Sequence, residues 1–382
     1  MTNLENPPPG DSASVPAESV DDEPAERVNW VSAIPFFLAH GIAGLVFVTG
    51  ITRTALVLFL VLYSVRCFAI TAGYHRYFAH RSYKLARVPQ FLLALIATTA
   101  AQKGPLWWAG HHRQHHRHSD TPDDVHSPQR GFWWSHVGWI LVDKHKQTDQ
   151  TAIRDFAAYP ELRFLDRHHD FGPWLLGVAS YLIGGWSGLV FGFFGSTVLL
   201  WHITFTINSL SHTIGTRRYA TNDTSRNNPV LALLTFGEGW HNNHHHYQAS
   251  ARQGFYWWEI DITWYALRAL NVIGIVTSPR QPPPEALIRN RIRDGAFDLG
   301  MFRARHRRLT SDIRTFSPPP AHAAARPESP ARATFQDQYA DLHHALSGTL
   351  EAAEELGALT RQSARSQLSH VHASEPEGPA CA

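Results

Sequence analysis

The chain has 382 residues, 44% of them hydrophobic, with 13 Trp and 21 Phe, enough for a large core or several membrane spans. Lys plus Arg (34) nearly balances Asp plus Glu (32), so no global charge points to a nucleic-acid partner. The two cysteines, Cys67 and Cys381, cannot build a disulfide framework or a Cys-rich zinc or iron–sulfur site. Histidine is the anomaly: 25 residues, many of them in three clusters.

In chain order, residues 1–30 are acidic and proline-rich and lack the basic start and apolar stretch of a signal peptide, which predicts a disordered cytosolic tail. A membrane domain is expected over 31–277. No charged residue lies between Arg27 and Arg53, which predicts a first span at about 31–51 across a hydrocarbon slab of about 30 Å. A second span is predicted at 54–74, interrupted only by Arg66, which about two turns from a helix end can snorkel to the interface at a cost. The apolar piece 88–102 is short for a crossing and reads as re-entrant or interfacial. Phe171 to Thr216 holds no Asp, Glu, Lys or Arg and is long enough for a hairpin, spans 173–188 and 190–212, turning near Gly184-Gly185. Residues 278–382 form a proline-punctuated extension with a polar helix-like stretch at 336–371 and an arginine-rich run at 285–314, suited to anionic lipid or an acidic electron donor. The predicted fold is an all-α membrane protein, with four transmembrane helices in two hairpins under a cytosolic helical domain. Arg76, Arg81, Lys84, Arg87, Arg113, Arg117, Arg217 and Arg218 flank the histidine side, which puts that face and both termini in the cytoplasm.

The clusters are HRYFAH (His75, His80), HRQHH (His112, His115, His116) and HNNHH (His241, His244, His245). In the last two, the i, i+3, i+4 spacing sets three imidazoles on one helix face. In the first, five residues put the pair about 140° apart on an α-helix, so convergence needs the helix to fray or bend near Tyr77. Eight imidazoles exceed the three or four protein ligands of one zinc, and neutral imidazole suits iron, copper and zinc. Two metals are therefore expected. Isolated histidines such as His40, His136 and His202 read as packed or interfacial residues. Asp120, Asp123, Asp124 and Glu238 are candidates to accept the second ring N–H and orient the ligands.

Together with GYHRYFAHRSYK, WAGHHRQHHRHSDTPDD, RGFWWSHVGWILV, NSLSH and GEGWHNNHHHYQ, in that order, these clusters resemble the integral-membrane fatty acyl desaturases of the stearoyl-CoA (Δ9) and bacterial acyl-lipid branch. The resemblance covers about residues 34–275. It implies two irons held by His75, His80, His112, His115, His116, His212, His241, His244 and His245, with Asn208 reaching a metal through water. His111 and His246 could replace a neighbour, though the HxxHH spacing favours them as flanking residues. It further implies O2, an external electron donor such as ferredoxin or a cytochrome with its reductase, membrane lipids, and a long-chain acyl-CoA or acyl-lipid substrate desaturated at Δ9. No HPGG-type haem-binding stretch is visible. Asp143-Lys144 stands where acyl-CoA members carry Arg-Lys, and a carboxylate there disfavours a CoA phosphate. The tryptophan pairs 107–108, 133–134 and 257–258 read as walls of an acyl tunnel or as a membrane-interface belt. Two other readings stand beside desaturation: a hydroxylase on the same di-iron scaffold, and a non-enzymatic membrane metal-binding protein.

Overall fold

The computed structural model describes residues 26–292, which are mostly helical. The predicted tail up to residue 25, the arginine-rich run past residue 292 and the helix at 336–371 lie outside the described residues. Asn29 accepts a hydrogen bond from Ser32 N–H and so starts α1 (Trp30–Thr49). Thr52 does the same for Ala55 N–H and starts α2 (Arg53–Ala79). Its last eleven residues, Ala69–Ala79, are π-helical and fully buried. α3 (Arg87–Thr98) follows, and then α4 (Pro105–His118), with Pro105 in the first turn, where a missing N–H costs nothing. α4 is capped from outside: Asp166 of α5 (Pro160–Arg167) accepts from Leu106 N–H (2.9 Å) and Trp107 N–H (2.8 Å).

From Phe171 to His212 the chain is helical for 42 residues, about twice what a bilayer needs. It is broken where the sequence predicts, at Gly185 (φ 60°, ψ −151°), a conformation open essentially to glycine alone. Beyond the break the chain is π-helical over Gly188–Gly195 and continues as α7 (Ser196–Ser209); the π-helical stretch folds back on α6 (Phe171–Ser187), since a Cβ on Gly188 would stand 2.4 Å from the Ser180 carbonyl oxygen and one on Gly177 would stand 3.4 Å from the Phe193 ring. Short helices α8 (His241–His246) and α9 (Ile262–Val272) complete the site region. The strands Lys84–Leu85 and Val276–Thr277 pair antiparallel and tie the start of α3 to the chain after α9.

Among the described residues, α1, α2 and the Phe171–His212 run are long and apolar enough to cross a membrane; the 12-residue α3 is not. Large apolar side chains on these helices face outward, including Phe47 (94% exposed) and Leu182 (76%), as a lipid-facing surface requires. Arg66 differs from expectation. It does not snorkel but is buried, donating to the Leu62 carbonyl (2.9 Å), Thr197 Oγ1 (2.6 Å) and Ser196 Oγ (2.6 Å). The Ser196 and Thr197 hydroxyls, offered by the hairpin, and the Leu62 carbonyl of α2 itself replace the water that snorkelling would have found.

Candidate metal centre

The first histidine pair converges by a route other than fraying or bending. Hydrogen bonds of the i→i+5 kind stack residue 80 over residue 75: His80 N–H donates to the His75 carbonyl at 3.1 Å, and the rings lie 4.8 Å apart. Arg113 of α4 fastens this helix end, donating to the carbonyls of Phe78 (2.7 Å) and Ala79 (2.9 Å) and forking onto Asp155.

Each HxxHH box then splits. His112 and His116, one turn apart on α4, join His75, His80 and His244; His241 and His245, one turn apart on α8, join His115 and His212. Within each group the candidate ligand atoms all lie within 4.8 Å of one another. In the first group Nε2 contacts run His80–His112 (3.0 Å), His112–His116 (3.0 Å), His116–His244 (2.9 Å) and His244–His75 (3.0 Å). An imidazole Nε2 carries one proton or one lone pair, so five such atoms in a row can share at most two hydrogen bonds. Five lone pairs converging on a cation satisfy all of them. Two nitrogens each about 2.1 Å from a common centre and at right angles stand about 3.0 Å apart. In the second group His212 and His241 bring their Nε2 atoms to 3.1 Å, and His245 Nε2 is buried with no hydrogen-bond partner. The two groups adjoin, with the His116 and His245 rings 4.5 Å apart. These nine residues thus fit a pair of metal ions by donor type, number and spacing. Burial, with neighbouring imidazoles, holds His80, His112, His116, His241 and His244 well below the usual histidine range, in the neutral form that a metal requires.

A family model described as fatty acid desaturase matches residues 52–274. The chain belongs to the fatty acid desaturase family. It is 39% identical over 255 residues to an sn-1 stearoyl-lipid 9-desaturase of Anabaena variabilis, covering 66% of this chain and 94% of that one. It is 39% identical over 259 residues to Delta-9 acyl-lipid desaturase 2 of Arabidopsis thaliana (67% and 84% covered). Over 218 residues it is 39% identical to an icosanoyl-CoA 5-desaturase of Limnanthes douglasii (56% and 61%).

Around the desaturase-family site, carboxylates accept from ring Nδ1–H and so fix the tautomer that leaves Nε2 its lone pair. Asp124 binds His115 Nδ1 (3.0 Å), Asp120 binds His212 Nδ1 (3.4 Å) and Glu238 binds His75 Nδ1. Asp123, the fourth acid expected there, is exposed. Burial pushes the Asp124 and Asp223 carboxyls up, but the facing imidazoles outweigh it and hold both below the usual carboxylate range. His111 and His246 stay outside both groups: His111 Nδ1 donates to the Trp107 carbonyl (2.9 Å), and His246 Nε2 to that of Ala286 (2.7 Å). Asn208 sits on α7, partly buried, one turn before His212.

Three residues escaped the sequence reading. Asp223 binds His245 Nδ1 at 2.7 Å; Gln253 Nε2 lies 3.3 Å from His75 Nδ1 and 3.5 Å from His244 Nδ1. His126 is buried against His115 with ring centroids 4.3 Å apart. None lies in a box, and only the fold brings them to the ligands. The tryptophan pairs divide. Trp108 stacks on His112 and Trp107 on Trp139, whereas Trp133, Trp257 and Trp258 are exposed, as an interface belt requires.

Proposed function

We propose that this chain introduces a cis Δ9 double bond into long-chain acyl groups carried on a membrane lipid, with acyl-CoA as the alternative carrier. The observation that supports it is the meeting of five and four imidazoles from four distant segments at the ends of apolar helices. His75, His80, His112, His116 and His244 would hold one iron; His115, His212, His241 and His245 would hold the other, with Asn208 acting through water. The chemistry a pair of iron ions supplies when bound is oxidation of an unactivated methylene pair with O2 and two external electrons, which no side chain can do. The chain's own residues position and exclude: Trp108 covers His112, and Asp120, Asp124, Asp223 and Glu238 aim the rings.

The lipid carrier is favoured by the charges beside the SHVGW stretch. Lys146 is paired with Asp143, while Lys144 (3.2 Å) and Arg130 (2.6 Å) are paired with Glu26. Cations already engaged by carboxylates offer less to a CoA phosphate. The relatives named as acyl-lipid desaturases support the same choice, and the icosanoyl-CoA 5-desaturase keeps the other carrier in view.

The hairpin at Gly185 supports four crossings, in a membrane domain over 31–277 between a tail at 1–30 and an extension at 278–382. The basic residues around the histidines support a cytoplasmic site and cytoplasmic termini. A separate ferredoxin or cytochrome, with its reductase, supplies the electrons. Expression in a desaturase-deficient host with a matched reductase, followed by mass spectrometry of the lipids, tests this reading. A new Δ9 monoene in membrane lipids is expected; an unchanged profile, or a hydroxy product, refutes it.

A further inference from the structure

The two groups of imidazoles differ in what stands behind them. In the four-histidine group three of the four rings donate Nδ1–H to a carboxylate: His115 to Asp124, His212 to Asp120 and His245 to Asp223. The other partners of those carboxylates are neutral. Asp124 accepts from the Asp120 and His126 N–H groups, Asp120 from Thr224, and Asp223 from Ser225 and Thr221. Among the described residues the five-histidine group has one such carboxylate, Glu238 on His75. That charge is shared: the buried Arg76 donates to Glu238 from Nε (3.1 Å) and an outer nitrogen (3.0 Å), and also pairs with Asp261 (3.0 Å). The other polar group behind these rings, the neutral Gln253 side chain, presents its amide nitrogen, a donor that cannot accept a ring N–H. Exposure differs as well. All members of the four-histidine group are buried, while His80, His112 and His116 are partly exposed.

A carboxylate on Nδ1–H makes an imidazole a stronger donor, and loss of one such partner typically costs 10–100-fold in metal affinity. Three unshared carboxylates stand against one that an arginine neutralises. A fifth neutral ring pulls the other way, but three of its group are reachable by competing water.

On the ligand assignment proposed above, we infer that the two metal positions are unequal: the four-histidine position holds its ion tightly, and the five-histidine position is the exchangeable one. Asp120, Asp124 and Asp223 are the positioning residues that make the difference.

Full-length protein in detergent, loaded anaerobically with ferrous iron and dialysed against graded chelator, tests this by iron per chain over time. Two release steps are expected, with a plateau near one iron. His112→Ala should keep the slowly released ion, and His241→Ala should leave only fast release. Asp124→Asn and Asp223→Asn should each speed the slow step by about 10–100-fold, while Glu238→Gln leaves it unmoved. Release of both ions at one rate, or loss of the slow step in His112→Ala, overturns the inequality. Retention of two irons in both His→Ala variants would instead overturn the ligand assignment itself. The wild-type measurement needs no variant, so a substitution that misfolds does not shelter the inference.

Discussion

Arg113 is the residue whose removal shows most directly how the site is assembled. Its guanidinium joins the end of α2, which carries His75 and is capped by His80, to α4, which carries His112, His115 and His116. It makes five hydrogen bonds of 2.7–3.1 Å, to the carbonyls of Phe78, Ala79 and Ala152 and to both oxygens of Asp155. Hydrogen bonds to a charged group contribute about 1.5–3 kcal/mol each when isolated, but bonds sharing one side chain do not add. The Arg113 side chain is 20% exposed and that of Asp155 is 25% exposed, so water takes over part of what is lost. Arg113→Met should therefore cost about 3–5 kcal/mol, in the range for truncating one side of a largely buried charge pair. At about 2–4 °C per kcal/mol for a domain of this size, the melting temperature should fall by on the order of 10 °C. Arg113→Lys, which cannot fork, should recover only part of it. The assay is thermal unfolding in detergent with iron content measured alongside. A methionine variant melting within about 2 °C of wild type, with full iron, would show that this guanidinium does not hold α2 against α4.

His115→Ala and His244→Ala, one from each group, should each abolish unsaturation and lower iron content while the protein remains in the membrane, read by fractionation, metal analysis and lipid profiling. Lowering pH should strip the metal and destabilise the fold together. The unfolded chain takes up protons below about pH 6.5, whereas His80, His112, His116, His241 and His244 refuse them in the folded site, so stability falls with pH across that window. Iron retained and melting temperature at pH 5 and pH 7.5 check this; equal values at both would contradict it. In the hairpin, Gly188→Val places a side chain against the Ser180 carbonyl and should cost about 3 kcal/mol, seen as a lower melting temperature. Gly41→Ala, with open space around it, should be neutral.

Much of this site was legible because its signals are local. The HxxHH boxes announce helical faces, and spacing or resemblance points to His75, His80, His112, His115, His116, His212, His241, His244 and His245 in the sequence alone. The break at Gly184-Gly185 was legible because no 42-residue apolar helix fits a bilayer and only glycine tolerates the turn. What was not legible depends on packing. A π-helix is set by what surrounds Ala69–Ala79, all of it buried, and nothing in HRYFAH distinguishes it from a frayed end. The division of each box between two groups follows from how α4 and α8 meet. Asp223 and Gln253 are ordinary loop residues until the fold sets them behind His245 and His75. The burial of Arg66 was not legible because two of its acceptors, Ser196 and Thr197, lie 130 and 131 residues away in the chain.

Whether nine imidazoles from separate segments hold two irons is read from the metal content and Mössbauer spectrum of protein purified from cells grown in ⁵⁷Fe. Two irons per chain in nitrogen-rich sites are expected; full occupancy by zinc, or one iron that survives loss of either histidine group, would show that these imidazoles do not form a di-iron site.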